Sequence, residues 1–436
     1  MLTAFLRAFR TPDLRRKLLF TVAMIAVFRL GAALPTPGIS EKAVHECIGQ
    51  AAAKGGSVFA LVNLFSGGAL FKLSVFALGI MPYITASIIL QLLAVVIPRL
   101  ETLRQEGQAG QAKITQYTRY LTVGLAILQS TGIVALARSG NLFQGQCNQA
   151  LIPNDSVFTI STMVITMTAG TAVIMWLGEL ITDRGVGNGI SILIFTQVIA
   201  VIPGEMQNIY KTRHGFVFAV VLLVGVAIVA FVVFMEQAQR RIPVQYAKRM
   251  VGRKMYGGTS TYIPLKVNQA GVIPVIFASS LLYIPQLAST IFGNQAHPQG
   301  WYLWINRYMV RGDSAVYMLS FFALIIFFTY FYVAITFNPT EVADNMKKYG
   351  GFIPGIRPGR PTAEYLNYVL TRLTAPGSVY LGVIALIPMI ALALVGASSN
   401  FPFGGTSILI AVGVGLDTVK QIESQLQQRN YEGFLR

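Results

Sequence analysis

The sequence predicts an all-α, polytopic membrane protein with ten transmembrane helices, and three observations carry that prediction. Charged residues make up only 12% of the 436, about half the share of a soluble globular chain, while apolar types reach 54% before the 41 glycines are added. The apolar residues gather into separate stretches near twenty residues long, each enough to cross a bilayer as a helix. The basic residues, 34 Lys and Arg against 17 Asp and Glu, crowd into alternate connections between those stretches.

Taken in order, the spans are expected near residues 18–34, 73–97, 119–137, 157–178, 189–202, 216–235, 270–292, 316–337, 378–396 and 404–418. The fifth is short for a full crossing and the tenth ends on Asp417. Both features suit helices sheltered by neighbours rather than exposed to lipid. With the N-terminus placed in the cytoplasm, the inner segments hold 25 Lys and Arg and the outer segments 8, so both termini are expected inside. The net charge of +17 is therefore read first as topology, although in a soluble chain it would suggest nucleic acid.

The N-terminal segment resembles a secretory signal, because Arg15, Arg16 and Lys17 precede the apolar run Leu18 to Leu34. Arg29 interrupts that run and no small-x-small cleavage site follows, so the run reads as a retained first span. Ahead of it Leu2, Phe5, Leu6 and Phe9 share one helical face with Arg7 and Arg10 outside it. The tail 1–17 thus has the pattern of a helix lying in the membrane interface.

Several chemistries are excluded. An intramembrane enzyme or ion-coupled transporter needs ionisable groups at depth. Here Glu179, Glu236 and Asp417 sit at cytoplasmic span ends and Arg29 lies toward the outer end of span one. No pair of intramembrane aspartates exists, and His45-Glu46-Cys47 lacks the second histidine of a zinc protease motif. Gly185–Gly189 joins two membrane helices and follows no strand, so it reads as a tight inner turn rather than a phosphate loop. Two cysteines and three histidines give no metal-site spacing, and no cofactor is expected. Cys47 and Cys147 both fall on the outer side, where a disulfide can form, but nothing in the sequence sets their separation.

Three features remain to be explained. Val58 to Leu70 is only 13 residues, apolar but broken by Asn63, Ser66, Gly67 and Gly68. It fits either a re-entrant half-helix or an interfacial helix on the outer surface. Polar residues recur inside spans: Thr85, Ser87 and Gln91 in the second, Gln129 and Ser130 in the third, Ser279 and Ser280 in the seventh. Taken singly, each reads as ordinary hydrogen-bonding glue between helices. The inner loops 236–269 and 338–377 are long and rich in Arg, Lys, Gly and Pro. They also carry the anchors Tyr246, Tyr256, Tyr262, Phe352 and Tyr365, which suits ordered protrusions.

Specific strings add a family resemblance. Phe65-Ser66-Gly67-Gly68-Ala69-Leu70 and Phe76-Ala77-Leu78-Gly79-Ile80-Met81-Pro82-Tyr83-Ile84 resemble the SecY/Sec61-alpha family of protein-translocation channels. So do Gly185–Ser191, Tyr246-Ala247-Lys248-Arg249 and Pro264-Leu265-Lys266-Val267-Asn268 followed by Ala270-Gly271-Val272-Ile273-Pro274. Phe337-Asn338-Pro339, Ala343-Asp344-Asn345, Pro354-Gly355-Ile356-Arg357-Pro358-Gly359 and Phe403-Gly404-Gly405-Thr406-Ser407 complete a series that runs from span one to the C-tail.

The resemblance implies two inverted, pseudo-symmetric halves, residues 18–202 and 203–418, around an hourglass pore, with a cytoplasmic C-tail at 419–436. It implies a constriction of six aliphatic side chains: Ile80, Ile84, Ile190, Ile194, Ile276 and Ile410. An uncharged ring dewets when empty and is blind to the sequence of a passing chain. Residues 58–70 become a plug carrying Asn63, Phe65, Ser66, Gly67 and Gly68, with Asn63 expected at its seat. Thr85, Ser87, Gln91, Gln129, Ser279 and Ser280 become a lateral gate that opens to lipid.

The basic loops acquire partners by the same resemblance. Arg240, Arg241, Lys248, Arg249, Arg253 and Lys254 in one, and Lys347, Lys348, Arg357 and Arg360 in the other, would dock the ribosome and the SecA motor. Arg357, framed by glycine and proline, is the single strongest candidate. SecE and SecG are implied as companion subunits, signal peptides and nascent chains as substrates, membrane lipids as surroundings, and the bacterial cytoplasmic membrane as the location. The energy would come from SecA's ATP hydrolysis or from the ribosome, not from the channel itself. The competing class is a secondary transporter with inverted repeats, which needs a polar binding group near the midplane that this chain does not supply.

Overall fold

Each of the ten expected spans falls on a helix, but several of the helices are much longer than the span that revealed them. The computed structural model describes residues 11–52, 67–70, 72–138, 151–212, 215–246, 249–251, 254–256, 260–292, 300–310, 314–395 and 405–434. Helix α1 is Pro12–Ala33, followed by the unanticipated α2, Glu41–Ala52. Then come α3 (Met81–Val96), α4 (Pro98–Gln105), α5 (Gln108–Arg138), α6 (Val157–Arg184), α7 (Gly189–Thr212) and α8 (Gly215–Gln237). Strands β1 (Gln239–Tyr246), β2 (Arg249–Val251), β3 (Lys254–Tyr256) and β4 (Ser260–Lys266) follow.

The second half runs α9 (Ile273–Phe292), α10 (Gly300–Ile305), a π-helical turn at Asn306–Val310, then α11 (Ala315–Thr336) and α12 (Pro339–Lys348). It closes with β5 (Gly351–Phe352), α13 (Arg360–Val395) and α14 (Gly405–Phe434). Among the described residues five helices are long and apolar enough to cross a membrane alone, and six if α3 and α4, bent by 106°, are one broken span. The bend falls where Ile97 turns extended (φ −99, ψ 110), the conformation that the following Pro98 imposes on its predecessor.

Helix α7 runs through Pro203 to Thr212, so the fifth span is not the short element its apolar run suggests. Helix α13 begins at Arg360, inside the segment read as loop 338–377. Its first turns carry Leu366, Val369 and Leu370, an i, i+3, i+4 stripe buried against the β-sheet. Helix α14 continues through the expected tail 419–436, where Ile422 packs on Leu14 and Val186. Hydropathy finds only the membrane-embedded part of such helices, because their cytoplasmic turns are amphipathic.

The expected second span, 73–97, is helical only from Met81. Residues 72–80 are a chain of turns that is nevertheless buried, with Leu73, Ser74 and Ala77 at 0% exposure. Their backbone is paired: Thr36 N and Oγ1 donate to Leu73 O (3.1 and 2.7 Å), and Val75 N donates to Leu34 O (2.9 Å). Non-helical backbone is tolerated at such depth only when protein surrounds it. Gly31 and Gly170 allow the close approach, since a β-carbon would lie 2.1 Å from the Phe76 ring at the first and 2.1 Å from Val75 O at the second.

The largest apolar cluster spans both halves of the chain, from Phe28 in α1 to Ile410 in α14. A second cluster gathers α2, the 69–78 segment, α5 and α6 around Cys47, which is fully buried and disulfide-bonded. The chain's other cysteine, Cys147, lies outside the described residues, as does the interfacial pattern at 1–10.

Candidate functional site

The six candidate ring isoleucines share one large apolar cluster. Ile80, Ile84, Ile194, Ile276 and Ile410 belong to the central cluster, and half-buried Ile190 packs against it. All lie at or near the start of a helix: Ile80 caps α3, Ile190 and Ile194 open α7, Ile276 opens α9 and Ile410 opens α14. Four chain segments that arrive from different places in the sequence therefore each present an isoleucine near a helix start. Gly79 (φ +57) supplies the turn that delivers Ile80 to the start of α3.

Of the candidate plug, Asn63, Phe65 and Ser66 lie outside the described residues; Gly67 and Gly68 are described, both with positive φ (+66 and +85). Gly67 O accepts a hydrogen bond from Arg29 Nη1 at 3.4 Å. A β-carbon on Gly67 would lie 3.2 Å from Gln197 Cα, so this turn rests on α7. Gln197 is fully buried there, and its amide nitrogen and oxygen find no hydrogen-bond partner among the described residues. Arg29 and Gln197 thus contact the described end of the candidate plug, which the family strings did not reveal. The signal for Arg29 was its position as the one basic residue inside a span.

The candidate gate residues do not reach across to one another. Thr85 Oγ1 donates to Met81 O (2.9 Å), and Ser279 Oγ and Ser280 Oγ both donate to Ile276 O (2.8 Å each). Gln91 Nε2 donates to Ser87 Oγ within α3 (3.3 Å), and Gln129 is half-buried on α5. Short hydroxyl side chains in helices bond back to their own preceding turn, which explains why they are spent locally. What does cross from α4 to α11 is Arg104 Nη2, which donates to Ile335 O at 3.2 Å. Aromatic packing closes the neighbouring α9–α11 seam, where Phe277 meets Phe328 and Tyr332 edge-on.

The two basic loop segments form one sheet. Strand β1 pairs antiparallel with β4, from Gln239↔Lys266 to Gln245↔Ser260, and with β5 through Gln245↔Phe352 and Tyr246↔Gly351, in the order β4-β1-β5. A cluster of Ile242, Val244, Leu265, Met346, Ile353 and Leu366 holds the sheet onto α12 and α13.

Arg240 and Arg241 stay exposed on β1, the Arg241 guanidinium lying 4.8 Å over the Tyr262 ring. Lys347 and Lys348 close α12 and are exposed. Arg357 is exposed in a turn framed by Gly355 and Gly359, its carbonyl held by Thr362 Oγ1 (2.8 Å). Arg360 is exposed and paired with Glu364 (3.0 Å). Arg249 and Lys254 lie on β2 and β3, whereas Lys248 and Arg253 are outside the described residues.

The carboxylates at span ends are used structurally. Glu179 grips Arg119 through two hydrogen bonds (2.9 and 2.7 Å), and Asp417 faces Lys266 at 3.4 Å. Among the described residues no group of three His, Cys, Asp or Glu could hold a metal.

A helical membrane protein in which helix starts from both halves share one apolar cluster, a buried turn-rich segment packs against it and a basic sheet is held on α12 and α13 has the fold of a protein-conducting channel. A solved structure, "The structure of a protein conducting channel", matches over 94% of this chain and 91% of its own, with a TM-score of 0.64 at 18% identity. A canine Sec61 from a ribosome-channel complex of the endoplasmic reticulum matches at TM-score 0.60 and 17% identity, over 94% of this chain and 91% of its own. The SecY family model covers residues 74–419. The protein translocase subunit SecY of Streptomyces galbus is 67% identical over 442 residues, all of both chains. The chain belongs to the SecY family.

Proposed function

We propose that this chain is the channel subunit through which unfolded secretory polypeptides cross the membrane and from which membrane segments pass sideways into lipid. The observation that carries the reading is the convergence of six isoleucines from α3, α7, α9 and α14 in one apolar cluster. Empty, such a ring excludes ions by dewetting; filled, its branched side chains close around an extended chain without reading its sequence. The segment 58–70 acts as the plug over this ring, tethered through Gly67 to Arg29 and α7.

The channel performs no catalysis of its own. SecA's ATP hydrolysis or ribosomal synthesis drives the chain, and both partners dock on the basic face of the β4-β1-β5 sheet and the Arg357 turn. Phosphate-rich RNA suits that face, and salt weakens the contact. SecE and SecG complete the complex in the bacterial cytoplasmic membrane, with both termini inside as the bias of basic residues indicates.

The test is a photo-crosslinking residue at Ile276 in the reconstituted complex, given SecA, ATP and a preprotein stalled by a folded C-terminal domain. An ATP-dependent crosslink to the stalled chain is expected. Equal labelling from lipid-facing positions such as Leu223 or Leu319 would sink the ring assignment.

A further inference from the structure

The hairpin that carries Arg240 and Arg241 grows out of α8 and returns into α9, and its base is built around a buried polar contact. Glu236, one residue before the end of α8, is 8% exposed, and Asn268, just after β4, is 3% exposed. Asn268 Nδ2 donates to Glu236 Oε1 at 2.5 Å and to Gly271 O at 3.3 Å. The backbone closes the same joint, with Val267 N donating to Ala238 O (3.0 Å) and Ala238 N donating to Phe234 O (3.1 Å).

Two further elements lock onto this point. Gly377 of α13 touches it so closely that a β-carbon would lie 2.4 Å from Val267 O. Lys266, the last residue of β4, reaches Asp417 of α14 at 3.4 Å. The charged groups that Glu236 feels are Lys266 and Lys420, which attract it, and Asp417, which repels it. The hairpin base is therefore tied to α9 through Asn268 and Gly271, and to α14 through Lys266. These are the helices that open with Ile276 and Ile410.

A buried carboxylate held by one amide is costly, and an apolar pair of similar volume would give as much stability or more. What the polar pair adds is a fixed register between two segments, because displacement leaves both groups buried and unsatisfied.

We propose that Glu236 and Asn268 are positioning residues that couple the cytoplasmic hairpin to the pore. A load applied by a partner docked on the hairpin is passed through their contact to the first turn of α9, and so to Ile276. The inference deepens the proposed function and rests on its docking and ring assignments. Both side chains are buried within the joint rather than on the surface of the hairpin.

The experiment compares Asn268→Leu, Glu236→Leu and Glu236→Gln with the wild type in the complete reconstituted complex. Glu236→Gln keeps an oxygen that accepts from Asn268, so it is expected to retain wild-type behaviour. The two leucine variants are expected to lose about tenfold in SecA-driven transport, the scale of a lost hydrogen bond to a charged group, while SecA affinity stays within about twofold. Spin labels introduced as non-canonical residues at Thr261 on the hairpin and Leu281 on α9 give a second readout. A single narrow distance is expected in the wild type and Glu236→Gln, and a broadened one in the leucine variants.

Wild-type transport by Asn268→Leu, or a narrow distance in both leucine variants, overturns the proposal. A loss of transport matched by an equal loss of SecA affinity also overturns it, since the pair would then only fold the docking face. If SecA does not bind the wild-type complex at all, the docking reading fails, and the distance measurement alone decides the joint.

Discussion

Arg104 and Ile335, 231 residues apart in the chain, meet where the Arg104 guanidinium donates to the Ile335 carbonyl at 3.2 Å. The first lies on the short helix α4 that bends away from α3, the second one residue before the end of α11. This contact spans from the first half of the chain to the second, and none of the polar residues expected at the gate does so. Arg104→Ala is therefore expected to ease lateral opening by up to about fivefold, as befits one exposed hydrogen bond of about 1 kcal/mol. Crosslinking of a weakened signal sequence to lipid-side positions measures it; an unchanged yield would rule out a role for the contact in gating.

Arg29 predicts a second outcome. Its bond to Gly67 O ties the described end of the proposed plug, residues 58–70, to α1. Removing the guanidinium in Arg29→Ala is expected to raise the ion leak of idle vesicles, since the plug then leaves its seat more often. Arg29→Lys, which keeps a donor and the charge, is expected to leak less than the alanine variant. A potassium-diffusion assay reads both.

Gly31 predicts a loss of stability. A β-carbon there would stand 2.1 Å from the Phe76 ring, which itself stacks on Phe28 at 5.8 Å. Gly31→Val is expected to lower the thermal midpoint of the purified complex, at an overpacking cost of about 1–3 kcal/mol. Combining it with Phe76→Leu is expected to recover part of the loss, which a purely helical-propensity effect would not.

The docking sheet predicts a salt signature. Arg240→Glu with Arg241→Glu reverses two exposed charges without touching the buried Ile242 and Val244 of the same strand. Ribosome affinity is expected to fall, and its dependence on salt to become shallower, because fewer phosphate counterions are released. Arg357→Ala is expected to act in the same direction. Titration of labelled ribosomes at several salt concentrations checks both, and parallel salt curves would argue against phosphate contact.

Gly351 predicts that the two cytoplasmic loops act together. It faces Tyr246 in the ladder, and a β-carbon would lie 3.0 Å from the Tyr246 ring. Gly351→Val is expected to detach β5 from β1 and speed amide exchange along 239–246, while α8 and α9 keep their protection.

Much of the membrane architecture was readable without coordinates. A bilayer demands about twenty apolar residues per crossing and leaves basic loops inside, so hydropathy and charge alone pointed to a helix at each expected span. The isoleucines were identified by resemblance, since an isoleucine in an apolar helix carries no local sign of facing a pore. Helix lengths were understated at α7, α13 and α14, whose polar or amphipathic turns extend beyond the hydrophobic slab. The buried turns at 72–80 looked like helix because hydropathy measures burial and is indifferent to backbone conformation.

What the sequence by itself determined is therefore the solvent each segment lives in and the side chains available to it. Tertiary structure alone decided which distant atoms meet: Thr36 with Leu73, Tyr246 with Gly351, Glu236 with Asn268, and Arg104 with Ile335. Transfer between water and lipid is a property of each residue and sums along a chain. A hydrogen bond needs two partners within about 3 Å, and only the packed fold sets that separation.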